Sequence, residues 1–458
     1  MRRGAGALDC FHYAEMSDWC GRYAADRVSI GYINLGNAMS SFRDFRAVML
    51  AFAAFGTAAG AASNATRPAA LAQYHQWRRQ IRQALFIDDP LPALAPKSFG
   101  TFSPAEGVVV ERVTFGTSYG MRVPAIVYLP SKRTARMPGL VIVNGHSGDK
   151  TSWYAFYSGI LYARAGAVVV TYDPIGEDER NSDRKSETNT HDTEVPGQQM
   201  PARMGGQMVT DIMQAVSYLS GRGDVDPRRI GVAAYSMGSF HAAIAGALDD
   251  RIHALVLSGG GNIDRPGDYW DLSPKVMCQS GPSKALDFLP DRGAILYALN
   301  QLRGPTFIIN GTKDQVIVSV HAEEPFFEKL KARTEAISGK SEGIFETYWI
   351  PGAGHRPNFV TRPAALWLQR QLSFPNWTEA KIESMDEVHI SEWSSKTGAH
   401  IVEKFHTELS EGGVRALTTD VPNVPREKLQ AVPNDEWQKD KDNFIWEPWV
   451  TRAHAVSQ

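Results

Sequence analysis

A serine in a tight strand-to-helix turn, an aspartate after an apolar run and a histidine in a glycine-rich loop are the residues here whose types and spacing could perform nucleophilic chemistry. Ser236 lies in IGVAAYSMG at 230–238, a β run that turns sharply into a helix beginning near Met237. Gly238 supplies the small neighbour such a turn demands, and Ala234 stands where the first glycine of a G-x-S-x-G pattern would be. A hydroxyl is a weak nucleophile until a base takes its proton, and that base needs an acid to fix its tautomer and stabilise its cation. Asp314 ends PTFIINGTKD at 305–314, and His355 ends YWIPGAGH at 348–355, so both follow predicted strands. Taken singly, Ser236 could cap a helix, Asp314 could close an Asx turn and His355 could be an ordinary loop histidine. Three such residues, each after a different predicted strand, make one arrangement, and Asp264, shortly after Ala254–Ser258, is the competing acid.

A tetrahedral intermediate requires donors aimed at its oxyanion. The backbone N–H of Met237 is one candidate; His146, in LVIVNGHSGD at 140–149, is the other, with Ser147 in reserve. Trp153, Tyr154, Phe156 and Tyr157 open the next helix, where they could line a substrate site or simply fill core, and Trp153 is taken with Asp173 as substrate-binding. His191 and His241 do not end strands, and His241 reads as a packed residue. No H-x-x-x-H, C-x-x-C or carboxylate cluster has metal-ligand spacing, so neither a catalytic metal nor a cofactor is expected.

The elements that must position these residues alternate. A helix over Pro68–Ile87 leads through a proline-rich connector at 88–96 to an antiparallel pair, Gly107–Phe115 and Arg122–Leu129. Apolar runs then alternate with helices as far as Leu372, which predicts an α/β fold with a mainly parallel sheet of about eight strands and helices on both faces. In such sheets ligands gather at the carboxyl ends of the strands, where Ser236, Asp314 and His355 fall. The 458 residues carry 48 Lys and Arg against 50 Asp and Glu, a balance with no basic surplus for nucleic acid.

Before this region, Ala47–Ala62 forms an apolar stretch preceded by Met39, Arg43 and Arg46, which reads as a signal peptide over 39–65 with residues 1–38 as an upstream extension. Export to a periplasmic or extracellular compartment, without stable membrane insertion after cleavage, is the expectation. Of Cys10, Cys20 and Cys278 only the last would remain, so no internal disulfide is expected. Residues 66–372 are taken as the catalytic domain with 259–303 as a candidate cap, and 373–458 as a C-terminal extension whose tryptophans could dock on the domain or bind carbohydrate.

NGHSGDK at 144–150, YDPIGEDER at 172–180, VDPRRIGVAAYSMGS at 225–239, NGTKDQV at 310–316 and PGAGH at 351–355 together resemble an α/β-hydrolase of the acetylxylan-esterase-like group, related to dienelactone hydrolases and to prolyl oligopeptidase catalytic domains. Asn144 stands where histidine is common, AYSMG replaces a glycine-rich elbow, and GED interrupts the usual spacing after Asp173. The resemblance implies a serine esterase acting on a small-molecule or carbohydrate ester, through the chain order Ser, Asp, His. A serine peptidase of oligopeptidase-like type and a catalytically silent binding protein are the alternatives.

Overall fold

Successive side chains of a strand point to opposite faces, so an uninterrupted apolar run builds two cores at once. In LVIV at 140–143, Val141 and Val143 enter one cluster with Val232 and Ala234, while Leu140 and Ile142 enter another with Ala233 and Tyr235. The computed structural model describes residues 58–456, apart from 134–135, 301–303, 319–323, 341–342, 344 and 402–412. The expected extension and most of the expected signal peptide lie outside these residues. The backbone divides into residues 1–66 and 67–458, and of the first unit only the opening turns of helix α1 (Ala58–Ala84) are described. Among the described residues no helix is long and apolar enough to cross a membrane.

The sheet of the second unit has nine strands: β1 (Lys97–Ala105), β2 (Val108–Gly116), β3 (Arg122–Pro130), β4 (Met137–Val143), β5 (Val168–Tyr172), β6 (Val225–Tyr235), β7 (Ala254–Ser258), β8 (Thr306–Gly311) and β9 (Phe345–Ile350). Their order is β1-β2-β3-β5-β4-β6-β7-β8-β9; the first four neighbours pair antiparallel and β5 through β9 run parallel. The strand beyond the expected eight is β1. KSFGTFSPA contains Gly100 and Pro104, is mostly exposed and breaks register twice against β2, so its edge position left no apolar alternation to read.

Helices α2 (Trp153–Ala165), α3 (Met200–Ser220) and α4 (Met237–Leu248) cross between the strands. Tyr74, Ile81 and Leu85 of the leading segment are buried in the cluster with α3 and α4, whereas Leu71, one turn before Tyr74, is exposed. The stretch read as a candidate cap supplies a helix at Arg292–Asn300 whose Ile295 and Leu299 belong to that cluster. On the other face Trp377, Trp393 and Trp437 of the C-terminal extension join α2 in one core. Trp393 packs edge-on against Tyr157 with ring centroids 5.2 Å apart and donates from Nε1 to the Val421 carbonyl at 2.7 Å. Burying a ring of this size contributes on the order of 4 kcal/mol before entropic costs, which is ample to hold a tail segment down.

Candidate active site

At the carboxyl end of β6 the chain reverses so abruptly that Ser236 has φ 54° and ψ −123°, a left-handed φ that a serine adopts only where its surroundings enforce it. The turn closes because Gly238 has no side chain; a Cβ there would stand 2.4 Å from the Asn144 carbonyl oxygen. Ser236 Oγ is thereby presented 2.7 Å from His355 Nε2, and His355 Nδ1 lies 3.0 Å from both carboxylate oxygens of Asp314. The fully buried Asp314 also accepts the Val316 N–H at 3.0 Å, which fixes it at the end of β8. Tyr235 completes the frame by donating its hydroxyl to the His355 carbonyl at 3.0 Å, while its ring lies 5.1 Å from the imidazole. Its position directly before Ser236 was the signal available in the sequence. Asp264, the competing acid, is paired with Arg333 instead.

The two residues expected to donate to an oxyanion lie on either side of this turn. Met237 opens α4, where a first-turn N–H has no partner within its helix. No hydrogen bond among the described residues uses the His146 N–H, although the neighbouring Gly145 N–H donates to Tyr154 Oη at 3.2 Å. Ser147 has φ 67° and its hydroxyl donates to Asn189 Oδ1 at 2.8 Å. His241 is buried and bonds the Met237 carbonyl through Nδ1 at 3.1 Å; burial pushes its imidazole down to about 4.

A model of the prolyl oligopeptidase family matches residues 154–379, just under half of the chain and including Ser236, Asp314 and His355. With the strand order, the elbow and the chain order of these residues, that match decides the superfamily. The chain is an α/β-hydrolase. The hydrolase is 27% identical over 219 residues to the Bacillus subtilis (strain 168) protein named "Putative hydrolase YtaP", a match covering 42% of this chain and 71% of that one. Among solved structures, Methylesterase BT1017 aligns with a TM-score of 0.47 at 21% identity over 68% of this chain and 66% of its own, just under two thirds of its length. Acetyl Xylan Esterase 1 from Thermoanaerobacterium sp. JW/SL YS485 aligns with a TM-score of 0.42 at 16% identity, over 66% of this chain and 94% of its own.

In the hydrolase a cavity of about 750 Å³ opens beside the elbow, lined by His146, Trp153, Tyr154, Tyr235, Asn189 and, from the C-terminal extension, Arg426. Trp153 therefore lines this cavity. Asp173 does not. Its carboxylate is fully buried, 2.6 Å from Lys150 Nζ, so the strand-end aspartate is consumed by an ion network that the sequence reading missed. Lys150 also reaches Asp178 and, at 2.8 Å, Glu179. Burial alone would lower its pKa, but Asp173, Asp178, Glu179 and Asp149 together hold it well above the ordinary lysine value. Glu179 in turn accepts the backbone N–H groups of Ala431 at 2.6 Å and Val432 at 2.8 Å, and Arg426 pairs with Asp178. Asp178, the last residue of GED, and Glu179 directly after it therefore anchor the C-terminal extension; the acidic run Glu177–Glu179 a few residues beyond β5 was the signal.

Proposed function

We propose that this α/β-hydrolase is a serine carboxylic-ester hydrolase that works through an acyl-enzyme. The observation that carries the reading is the hydrogen-bonded chain Ser236 Oγ, His355 Nε2 and Nδ1, Asp314, set on a strained elbow. His355 takes the Ser236 proton as Oγ attacks the ester carbonyl, and the N–H groups of Met237 and His146 stabilise the oxyanion. His355 then protonates the departing alcohol and afterwards deprotonates the water that frees the acyl group, with Asp314 holding the imidazole in the required tautomer. The cavity sets aromatic Trp153 and Tyr154 beside the amides of Asn189 and Asn423, a lining suited to a hydroxyl-rich alcohol such as an acetylated sugar. The family match favours a second reading, cleavage of short peptides.

Hydrolysis of p-nitrophenyl acetate, longer acyl esters, acetylated xylose and a peptide anilide, measured beside Ser236→Ala, tests both. Ester cleavage should fall by about 10⁴-fold to 10⁶-fold in the variant. Anilide cleavage in excess of ester cleavage would transfer the assignment to the peptidase reading. A folded wild type that is inactive on all four and forms no phosphonate adduct at Ser236 would end both.

A further inference from the structure

Behind the loop that carries His146, three stretches far apart in sequence converge. One donor atom each from His146, His191, Asp192 and Cys278 lie within 4.8 Å of one another. His146 Nε2 is 2.7 Å from Asp192 Oδ2, Cys278 Sγ is 2.9 Å from Asp192 Oδ1, and His191 Nε2 is 3.8 Å from the same oxygen. Two imidazoles, a carboxylate and a thiol are the donor types that zinc collects, and bond lengths of about 2.0–2.3 Å require donor separations of roughly 3.3–3.6 Å around a tetrahedron. About Asp192 Oδ1, the separations of 2.9 Å and 3.8 Å straddle that range.

His191 supplies an independent sign. It is fully buried, and although its ring approaches the Ile175 backbone, neither ring nitrogen makes a hydrogen bond of normal length and angle. An unsatisfied buried polar group is costly, and a metal ion on Nε2 would resolve it. The Glu177 carboxyl lies 3.7 Å from Nδ1, on the side where a metal-bound histidine ordinarily finds its acceptor. A cation is already drawn to the cluster: Lys275 Nζ lies 2.9 Å from His146 Nε2 and 3.0 Å from Asp192 Oδ2. Lys275 is about one third exposed at 35%, and its flexible stem allows it to withdraw into solvent.

We propose that His146, His191, Asp192 and Cys278 form a four-ligand site for a divalent zinc-type ion that ties the loop after β4 to the loop after β5 and to the turn at Val276–Ser280. Four protein donors leave no open position for substrate water, so the ion is structural and its effect on ester chemistry is to hold the His146 loop in place. On binding, Cys278 loses its thiol proton to solvent as Sγ coordinates, and Lys275 swings out.

The test is metal analysis of the purified chain after chelator dialysis and re-equilibration with zinc, with cobalt(II) as a spectroscopic substitute. One zinc per chain should survive gel filtration in the wild type and in Lys275→Ala, the latter binding several-fold more tightly because its competitor is gone. His191→Ala and Cys278→Ser should lose it, and the thiolate-to-cobalt charge-transfer band should vanish in Cys278→Ser. Background zinc in the wild type, or a cobalt spectrum without a thiolate band, would overturn the proposal and leave Lys275 as the resident cation. The wild-type cobalt spectrum decides even where a ligand variant fails to fold.

Discussion

On the His355 side of Ser236 the polar groups come from the ends of β6, β8 and β9, whereas on the His146 side they come from the loops after β4 and β5 and from the C-terminal extension. The first set is a short chain of three side chains with one buried acid and an imidazole that remains 22% exposed, as a group that must meet substrate should be. The second is a closed network in which Lys150, Asp173 and Glu179 have no exposure and every charge is opposed by another. The proposed chemistry thus rests on rigid strand ends, and the wall around it rests on ion pairing. Substitutions on the two sides should therefore separate activity from stability.

The largest separation is expected at Asp314. Asp314→Asn preserves shape but presents the wrong partner to His355 Nδ1, and turnover of a reactive ester should drop about 10⁴-fold with little change in the urea midpoint. Asp264→Asn should stay within about threefold of wild type, because the Asp264 carboxylate is engaged by Arg333 away from His355. Equal losses in the two variants would undo the assignment of the acid. Lys150→Met should do the converse. It leaves Asp173 buried without its cation, while Asp178 keeps Arg426 and Glu179 keeps Arg184, a change that costs about 3–5 kcal/mol in unfolding experiments. Because Glu179 holds Ala431 and Val432, the C-terminal extension should also become a protease target first. A variant as stable as wild type would show that the network is dispensable to the wall.

The same contrast explains what could be read from sequence. Strand ends are legible because a short apolar run that breaks into a glycine-containing turn announces both the strand and its exit, so Ser236, Asp314 and His355 could be placed from the sequence. Residues brought together by loops carry no such signal. His146, His191, Asp192 and Cys278 share no spacing rule, and only the fold reveals that they meet. Asp173 shows the rule failing in the other direction: it is at a strand end, but a lysine from the neighbouring loop claims it before any substrate could. β1 escaped because an exposed edge strand needs no apolar face, and the C-terminal tryptophans could be read as docking or binding until Trp393 and Trp437 were seen inside the core.

A finer test lies in pH, on the strand side, where His241 sits in α4 one turn beyond Ser236 and bonds the Met237 carbonyl. Its folded value of about 4 lies below the unfolded imidazole value of about 6.5. Between these values the unfolded chain binds a proton that the folded chain refuses, so stability falls as pH drops from about 6.5 towards 4 and is unaffected by this group above that window. By pH 5 the loss from His241 amounts to about 2 kcal/mol. His241→Gln removes the titration, so its urea midpoint should change less between pH 7 and pH 5 than that of the wild type. Parallel curves for the two proteins would mean that the elbow helix admits a charged imidazole. The strand side would then be softer than its strained Ser236 implies, and the contrast with the ion-paired wall would narrow.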